Sequence, residues 1–279
     1  MEKILLAIDA ICPDKNALDF ACYLGRLTKS KVTGVFLENL VAEEKPVLKK
    51  LAGAAYIDWD INEKSPAYQL KMESVENCIN WFRQGCVARE VSYSIHRDRG
   101  VPAHEVIAES RFADIIVADA ATSFNKRCEG LPTKFMKDIL KDSECPVIIA
   151  PDNFESVDEI VFSYDGSASS VFAIKQFTYL FPNFYNKPVN IVQVNSEGLW
   201  HEKDKYNFKE WLKDHYRELN FVGINDHVDN GLFNYMFKRK NTFLVMGAYS
   251  RNALSLFFKS SHADKLIRVV NQPIFISHV

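Results

Sequence analysis

The segment Lys3-Ile-Leu-Leu-Ala-Ile-Asp9 returns later in the chain as Glu159-Ile-Val-Phe-Ser-Tyr-Asp165. Each is an apolar run closed by an aspartate, the pattern of a strand covered on both faces that ends where the chain must turn. Two further pairs follow in the same order. Asp114-Ile-Ile-Val-Ala-Asp119 is matched by Thr242-Phe-Leu-Val-Met-Gly247, and Pro146-Val-Ile-Ile-Ala150 by Pro273-Ile-Phe-Ile-Ser277. A duplication whose copies are each large enough to own a core means paired domains rather than a solenoid of short repeats. The expected domains cover residues 1–151 and 157–279, with a linker at 151–157.

Between these strands the hydrophobic period switches from 2 to 3.6. In the first copy Ala17, Ala21, Leu24 and Thr28 mark a helix, and residues 32–37 a second strand. Tyr68, Met72, Val75, Ile79 and Phe82 form one stripe of a longer helix, followed by a strand at 91–95. Gly100-Val-Pro102 opens a helix with proline near its first position, and Phe135, Met136, Ile139 and Leu140 mark the last helix. The second copy repeats the order, with strands at 160–163, 189–194, 221–224, 243–246 and 274–277 and helices near 169–181, 203–216, 231–238 and 263–270. Strands alternating with helices imply right-handed crossovers, hence an α/β protein of two doubly wound, five-stranded parallel-sheet domains. The copies differ at residues 41–65, an insertion in the first. An extra helical turn packed on its own domain is the expectation there, with a lid or partner surface as the functional alternative.

Bulk properties exclude several classes. The chain has 279 residues, 47% of them hydrophobic, and a formal charge of −2, so no basic excess points to nucleic acid. No apolar run is long enough to span a bilayer, and the first residues enter a strand without the pattern of a signal peptide; a cytoplasmic location is the expectation. Cys12, Cys22, Cys78, Cys86, Cys128 and Cys145 form no CxxC pair and read as reduced, partly buried side chains. The histidines lack metal spacing, and no HExxH or Gly-x-Ser-x-Gly motif occurs. Asp226-His-Val-Asp229 reads as capping the following helix beside Asn230, and Lys238-Arg-Lys240 as a solvated run at a helix C-terminus.

In an open parallel sheet, ligands bind beyond the carboxyl ends of the strands. The first copy presents Asp9 and Asp119 there, and the second presents Asp165-Gly166-Ser167 and Met246-Gly247-Ala-Tyr-Ser250. A carboxylate accepts from ribose hydroxyls or a base amine, while Gly and Ser permit close backbone approach and donate to phosphate oxygens. Asp-Gly-Ser is also common turn chemistry.

With these residues in place, both halves resemble the universal stress protein family, and the chain resembles a tandem member. The family's nucleotide pattern is Gly, two residues, Gly, nine residues, Gly, then Ser or Thr. The second half keeps that spacing as Gly247, Ala-Tyr, Ser250, residues 251–259, then Ser260-Ser261. The first half keeps it as Asp119, Ala-Ala, Thr122, residues 123–131, then Pro132-Thr133, with no glycine left. The resemblance implies Rossmann-like domains of the adenine-nucleotide α-hydrolase type and a stress-response role. It also implies ATP or AMP binding in some members, with the backbone at Val194 meeting adenine, and dimers built through the fifth strand.

Pro132 has no N–H for a phosphate, and Asp119 would oppose it with like charge, so no cofactor is expected in the first half. Ser250, Ser260 and Ser261 retain N–H groups and add hydroxyls, with His262 beside them; Ser260-Ser261 also reads as a plain helix N-cap. The expectation is a non-catalytic regulatory or binding protein, with a small molecule or nucleotide in the second half and an unidentified protein partner. A pseudo-dimer within the chain would pair residues 147–150 with 274–277, and a homodimer is compatible with the resemblance. The alternatives are a nucleotide phosphate hydrolase or transferase and a ligand-free interaction scaffold.

Overall fold

The computed structural model describes residues 1–10, 13–37, 46–51, 54–59, 65–98, 100–124, 129–247 and 271–277. The first half runs β1 (Lys3–Ile8), α1 (Lys15–Thr28), β2 (Lys31–Leu37), β3 (Pro46–Leu51), β4 (Ala54–Trp59), α2 (Pro66–Ala88), β5 (Tyr93–Asp98), α3 (Pro102–Ser110), β6 (Ile115–Ala118), α4 (Lys134–Asp142) and β7 (Val147–Ile149). The second runs β8 (Glu159–Tyr164), α5 (Ala168–Leu180), β9 (Val189–Asn195), α6 (Glu202–Leu212), β10 (Leu219–Asn225), α7 (Val228–Phe237), β11 (Thr242–Gly247) and β12 (Ile274–Ser277). Local chemistry sets the starts of the long helices. Asp14 caps α1 by accepting from the N–H groups of Asn16 and Ala17, each at 3.0 Å. Ser65 caps α2 through the Tyr68 N–H at 3.2 Å, with Pro66 at the first helical position.

Ten of the described strands form one sheet in the order β10-β9-β8-β11-β12-β7-β6-β1-β2-β5. Within each half of this sheet the pairings of the described strands are parallel, and the two halves have the same strand order running outward from the middle. The exception is the seam, where β12 pairs antiparallel with β7: Ile274 faces Ile149, Phe275 faces Ile148 and Ile276 faces Val147. Asp9 and Asp165 thus follow equivalent strands, as the duplication requires.

Each face of the sheet carries one apolar core that crosses the seam. On one face Phe20 of α1 meets Phe243 of β11 with ring centroids 5.9 Å apart. Phe154, between the halves, lies 5.0 Å from Phe20 and 4.6 Å from Tyr23. Phe275, on the seam itself, packs edge-on against Phe177 of α5 at 5.3 Å.

Several expectations are corrected. The insertion at 41–65 holds not an extra helical turn but the antiparallel hairpin β3–β4, which pairs with itself as a separate two-stranded sheet. The helix expected to reach residue 216 ends at Leu212, because Tyr216 turns inward, buried, and donates its hydroxyl to Thr178 at 3.2 Å. α7 starts at Val228, with His227 as its N-cap and no side-chain cap; Asp226 instead accepts its neighbour's N–H at 2.7 Å. Arg239 is not solvated: it lies over the Tyr235 ring at 3.9 Å and pairs with Glu159 at 3.4 Å. The helix expected at 263–270 lies outside the described residues, as do Cys12 and Cys128; Cys22, Cys78, Cys86 and Cys145 are free and buried.

A core shared across the seam has a thermodynamic consequence. Phe275→Ala empties a fully buried site and is expected to cost about 3–5 kcal/mol. Urea unfolding followed by circular dichroism and by tryptophan fluorescence should give one coincident transition in both proteins. Separate transitions for the two halves would refute the shared core.

Candidate functional site

The second-half site begins where β8 stops. Asp165 lies exposed at the strand's end, and its Oδ1 accepts the Ser167 N–H at 3.0 Å. Ser167 in turn caps α5, accepting the Ser170 N–H at 3.1 Å, while the Ser170 hydroxyl donates to the Ser167 carbonyl at 2.8 Å. Gly166 makes this turn with φ of +84°, and a side chain there would meet open space. Partial desolvation acts to raise the Asp165 pKa, but hydrogen bonds from Ser167 and Ser170 outweigh it and hold the carboxyl below the usual aspartate range. The result is an ionised acceptor at the mouth of the strand.

The neighbouring strands complete the rim. Tyr164 faces Gln193, which brings Val194 level with Asp165 on one side. Phe162 faces Val245, which brings Gly247 level with Tyr164 on the other. The side chains of Val194 and Met246 are buried in the core, so at these positions only backbone groups are offered to a ligand. Gly247 has a different reason for being glycine than close approach of a phosphate. A methyl group there would stand 2.8 Å from the Ser169 carbonyl carbon, the Ser169 hydroxyl and the Ser170 nitrogen. The strand end therefore rests on the first turn of α5. At this junction the Ser169 hydroxyl is buried without a hydrogen-bond partner among the described residues, an arrangement that ordinarily costs free energy. Ser250, Ser260, Ser261 and His262 lie outside the described residues.

The first half uses the equivalent place differently. Asp9 is buried, and its carboxylate accepts the Phe124 N–H at 3.0 Å. Phe124 is also buried, its ring edge-on to Phe135 at 4.8 Å. Its φ of +56° is a conformation that costs an ordinary residue about 1–2 kcal/mol, offset here by the carboxylate bond and the ring packing. The N-terminus of α4 is likewise taken by the chain itself. Glu129 accepts the Lys134 N–H at 2.8 Å and Thr133 accepts the Met136 N–H at 3.2 Å. A phosphate would have to displace a carboxylate there. Neither Phe124 nor Glu129 carries a sequence signal for this role; their contacts follow only from the fold.

Asp119 sits at the end of β6, where burial pushes its pKa up to about 6; the N–H groups of Ala121 and Ala120 oppose the shift, and Asp14 and Asp152 add to it. Folded Asp119 thus holds its proton to higher pH than an unfolded aspartate, whose pKa is about 4. The native state binds more protons between these values, so stability falls as pH rises through about 4 to 6. Asp119→Asn should therefore stabilise the protein by about 1–2 kcal/mol at pH 7.5 and by almost nothing at pH 4, as read by urea denaturation at both pH values. Gly247→Ala should destabilise it by about 1–3 kcal/mol, since helix backbone must move to admit the methyl group. A Gly247→Ala protein with an unshifted urea midpoint would show that the strand end and α5 are not in tight contact.

No protein-family model and no curated protein matches the chain. Solved structures do. A universal stress protein from Archaeoglobus fulgidus DSM 4304 aligns with 99% of this chain and 98% of its own, at a TM-score of 0.67 and 18% identity. A putative universal stress protein from Pseudomonas aeruginosa UCBPP-PA14 aligns with 100% of this chain and 93% of its own, at a TM-score of 0.54 and 12% identity. A functionally unknown protein from Pseudomonas aeruginosa PAO1 aligns with 100% and 92%, at 0.53 and 11%. Together with the strand order and the seam, these likenesses show that the chain has the α/β fold of universal stress proteins, with both halves of the sheet carried by one polypeptide.

Proposed function

We propose that this chain is a non-catalytic regulatory or binding protein of the stress-response type that takes an adenine nucleotide, ATP or AMP, in its second half. The observation that carries the reading is the asymmetry between two equivalent aspartates. Asp9 is buried and bonded to the chain's own Phe124 backbone, whereas Asp165 is exposed, ionised and set in a turn opened by Gly166. Asp165 would accept from the ribose hydroxyls, the backbone near Val194 would meet the base, and Gly166, Ser167 and Gly247 would line the approach. Ser250, Ser260, Ser261 and His262 would supply donors for phosphate. Residues 1–151 then act as a self-filled domain and residues 157–279 as the binding domain, in a cytoplasmic protein whose further partner is another protein or a second copy.

A hydrolase or transferase is the weaker reading. A general base works best with a pKa near the operating pH, and the hydrogen bonds on Asp165 move it the other way. Equilibrium dialysis against ATP and against AMP tests the site. Asp165→Asn, which can preserve the turn, should weaken binding about tenfold or more, or at least about 1.4 kcal/mol. Asp9→Asn should leave affinity unchanged. The opposite pattern would move the site to the first half and overturn the proposal. With ATP and Mg²⁺, phosphate release that depends on Asp165 would sink the non-catalytic part.

A further inference from the structure

A cavity of about 450 Å³ lies between α5 and α6 and is also lined by Tyr164, the residue before Asp165. Helical spacing builds its two walls. Lys175 and Tyr179 are four residues apart on α5, and Asp204, Phe208 and Trp211 follow at intervals of four and three on α6, so each set shares one face of its helix. Tyr164, the last residue of β8, and Phe208 are buried, with ring centroids 4.9 Å apart; Tyr179 is exposed and meets Trp211 at 6.1 Å. In the first half the equivalent helix pair is built differently. There α2 runs 23 residues and packs Val75, Ile79 and Phe82 into the core, whereas α6 has only 11 residues and buries Phe208 and Leu212. The shorter helix leaves aromatic surface uncovered beside α5.

The cavity wall carries one cation, Lys175, and one carboxylate, Asp204. Asp204 has a donor of its own, since its Oδ2 accepts the Tyr164 hydroxyl at 2.9 Å. Lys175 makes no ion pair or hydrogen bond among the described residues, so its ammonium is the charge left for an occupant. Four aromatic rings with one unpaired cation suit a flat, apolar body bearing one negative group. The volume falls at the small end of ligand pockets, enough for one or two fused rings. A nucleotide triphosphate does not match it, because a single lysine would face several negative charges.

We propose that the α5–α6 cavity is a second ligand site, which binds a small planar aromatic carboxylate with its ring against Tyr164, Tyr179, Phe208 and Trp211 and its carboxylate on Lys175. Its lining shares no residue with those proposed for the nucleotide, and the inference does not rest on nucleotide binding. It would give the second half two inputs, one of each chemistry.

Calorimetric titration with 2-naphthoate, and with the neutral 2-naphthamide as its isostere, tests the assignment on the full chain. The acid should bind saturably and about tenfold tighter than the amide. Lys175→Gln should weaken the acid about tenfold and leave the amide unchanged. Tyr179→Ala, at a residue already 57% exposed, should weaken both without unfolding the protein. Lys209→Gln, at an exposed lysine of α6 outside the cavity lining, should change neither. No saturable binding, equal affinity for acid and amide, or an unaltered acid affinity in Lys175→Gln would each overturn the proposal.

Discussion

The structure depends on three residue pairs at the middle of its sheet. Ile274 with Ile149, Phe275 with Ile148 and Ile276 with Val147 join two parallel halves by one antiparallel ladder. A doubly wound sheet must end somewhere, and an unpaired edge with apolar faces invites association with other chains. Here both such edges are consumed by each other. The side chains of β7 and β12 are buried, so the ladder is also the centre of both cores rather than a hinge between two bodies. Everything else follows outward from it, including which helices share a face and where the strand ends open.

Once the seam holds the scaffold, the strand ends are free to differ. In one half the carboxylate after the first strand has turned inward to its own backbone, and the buried Asp119 beside it is raised toward neutrality. In the other the equivalent carboxylate keeps its charge because three hydroxyl and amide donors surround it. The same residue type at the same place in the fold is thus buried against its own chain in one half and exposed in the other. In the first half the loop after the fourth strand supplies Phe124, which the Asp9 carboxylate holds.

The strands and their order were legible in the sequence because buried parallel strands leave continuous apolar runs, and residues 3–9 and 159–165 announce the duplication without alignment to anything else. The seam was legible for a similar reason: a Pro-led apolar strand at the end of each copy has to be paired. Legibility failed where the deciding contact is distant. Phe124 and Asp9 are 115 residues apart, and no local pattern marks one as the partner of the other. The insertion at 41–65 suggested an extra helical turn, but residues 46–51 and 54–59 pair as antiparallel strands, a choice that short segments leave to context. Gly247 was read as room for a ligand, and its lack of a side chain also lets the strand end rest on the first turn of α5. Tyr164 and Lys175 carried no motif; the cavity they line is formed only where α5 and α6 come together.

The segment between the halves turns the seam into an intramolecular contact. Two separate chains pairing through the same edge would assemble and dissociate with concentration, and unlike copies would exchange partners by mass action. Joined by a few residues, the two edges meet at a fixed and high effective concentration, so the pairing persists at any dilution. The stoichiometry of a self-filled half to an open one is likewise held at one to one in every molecule. A change that closes the strand end of one copy is then carried by its neighbour rather than lost to a pool of mixed dimers, which lets the two ends diverge while the sheet between them stays the same.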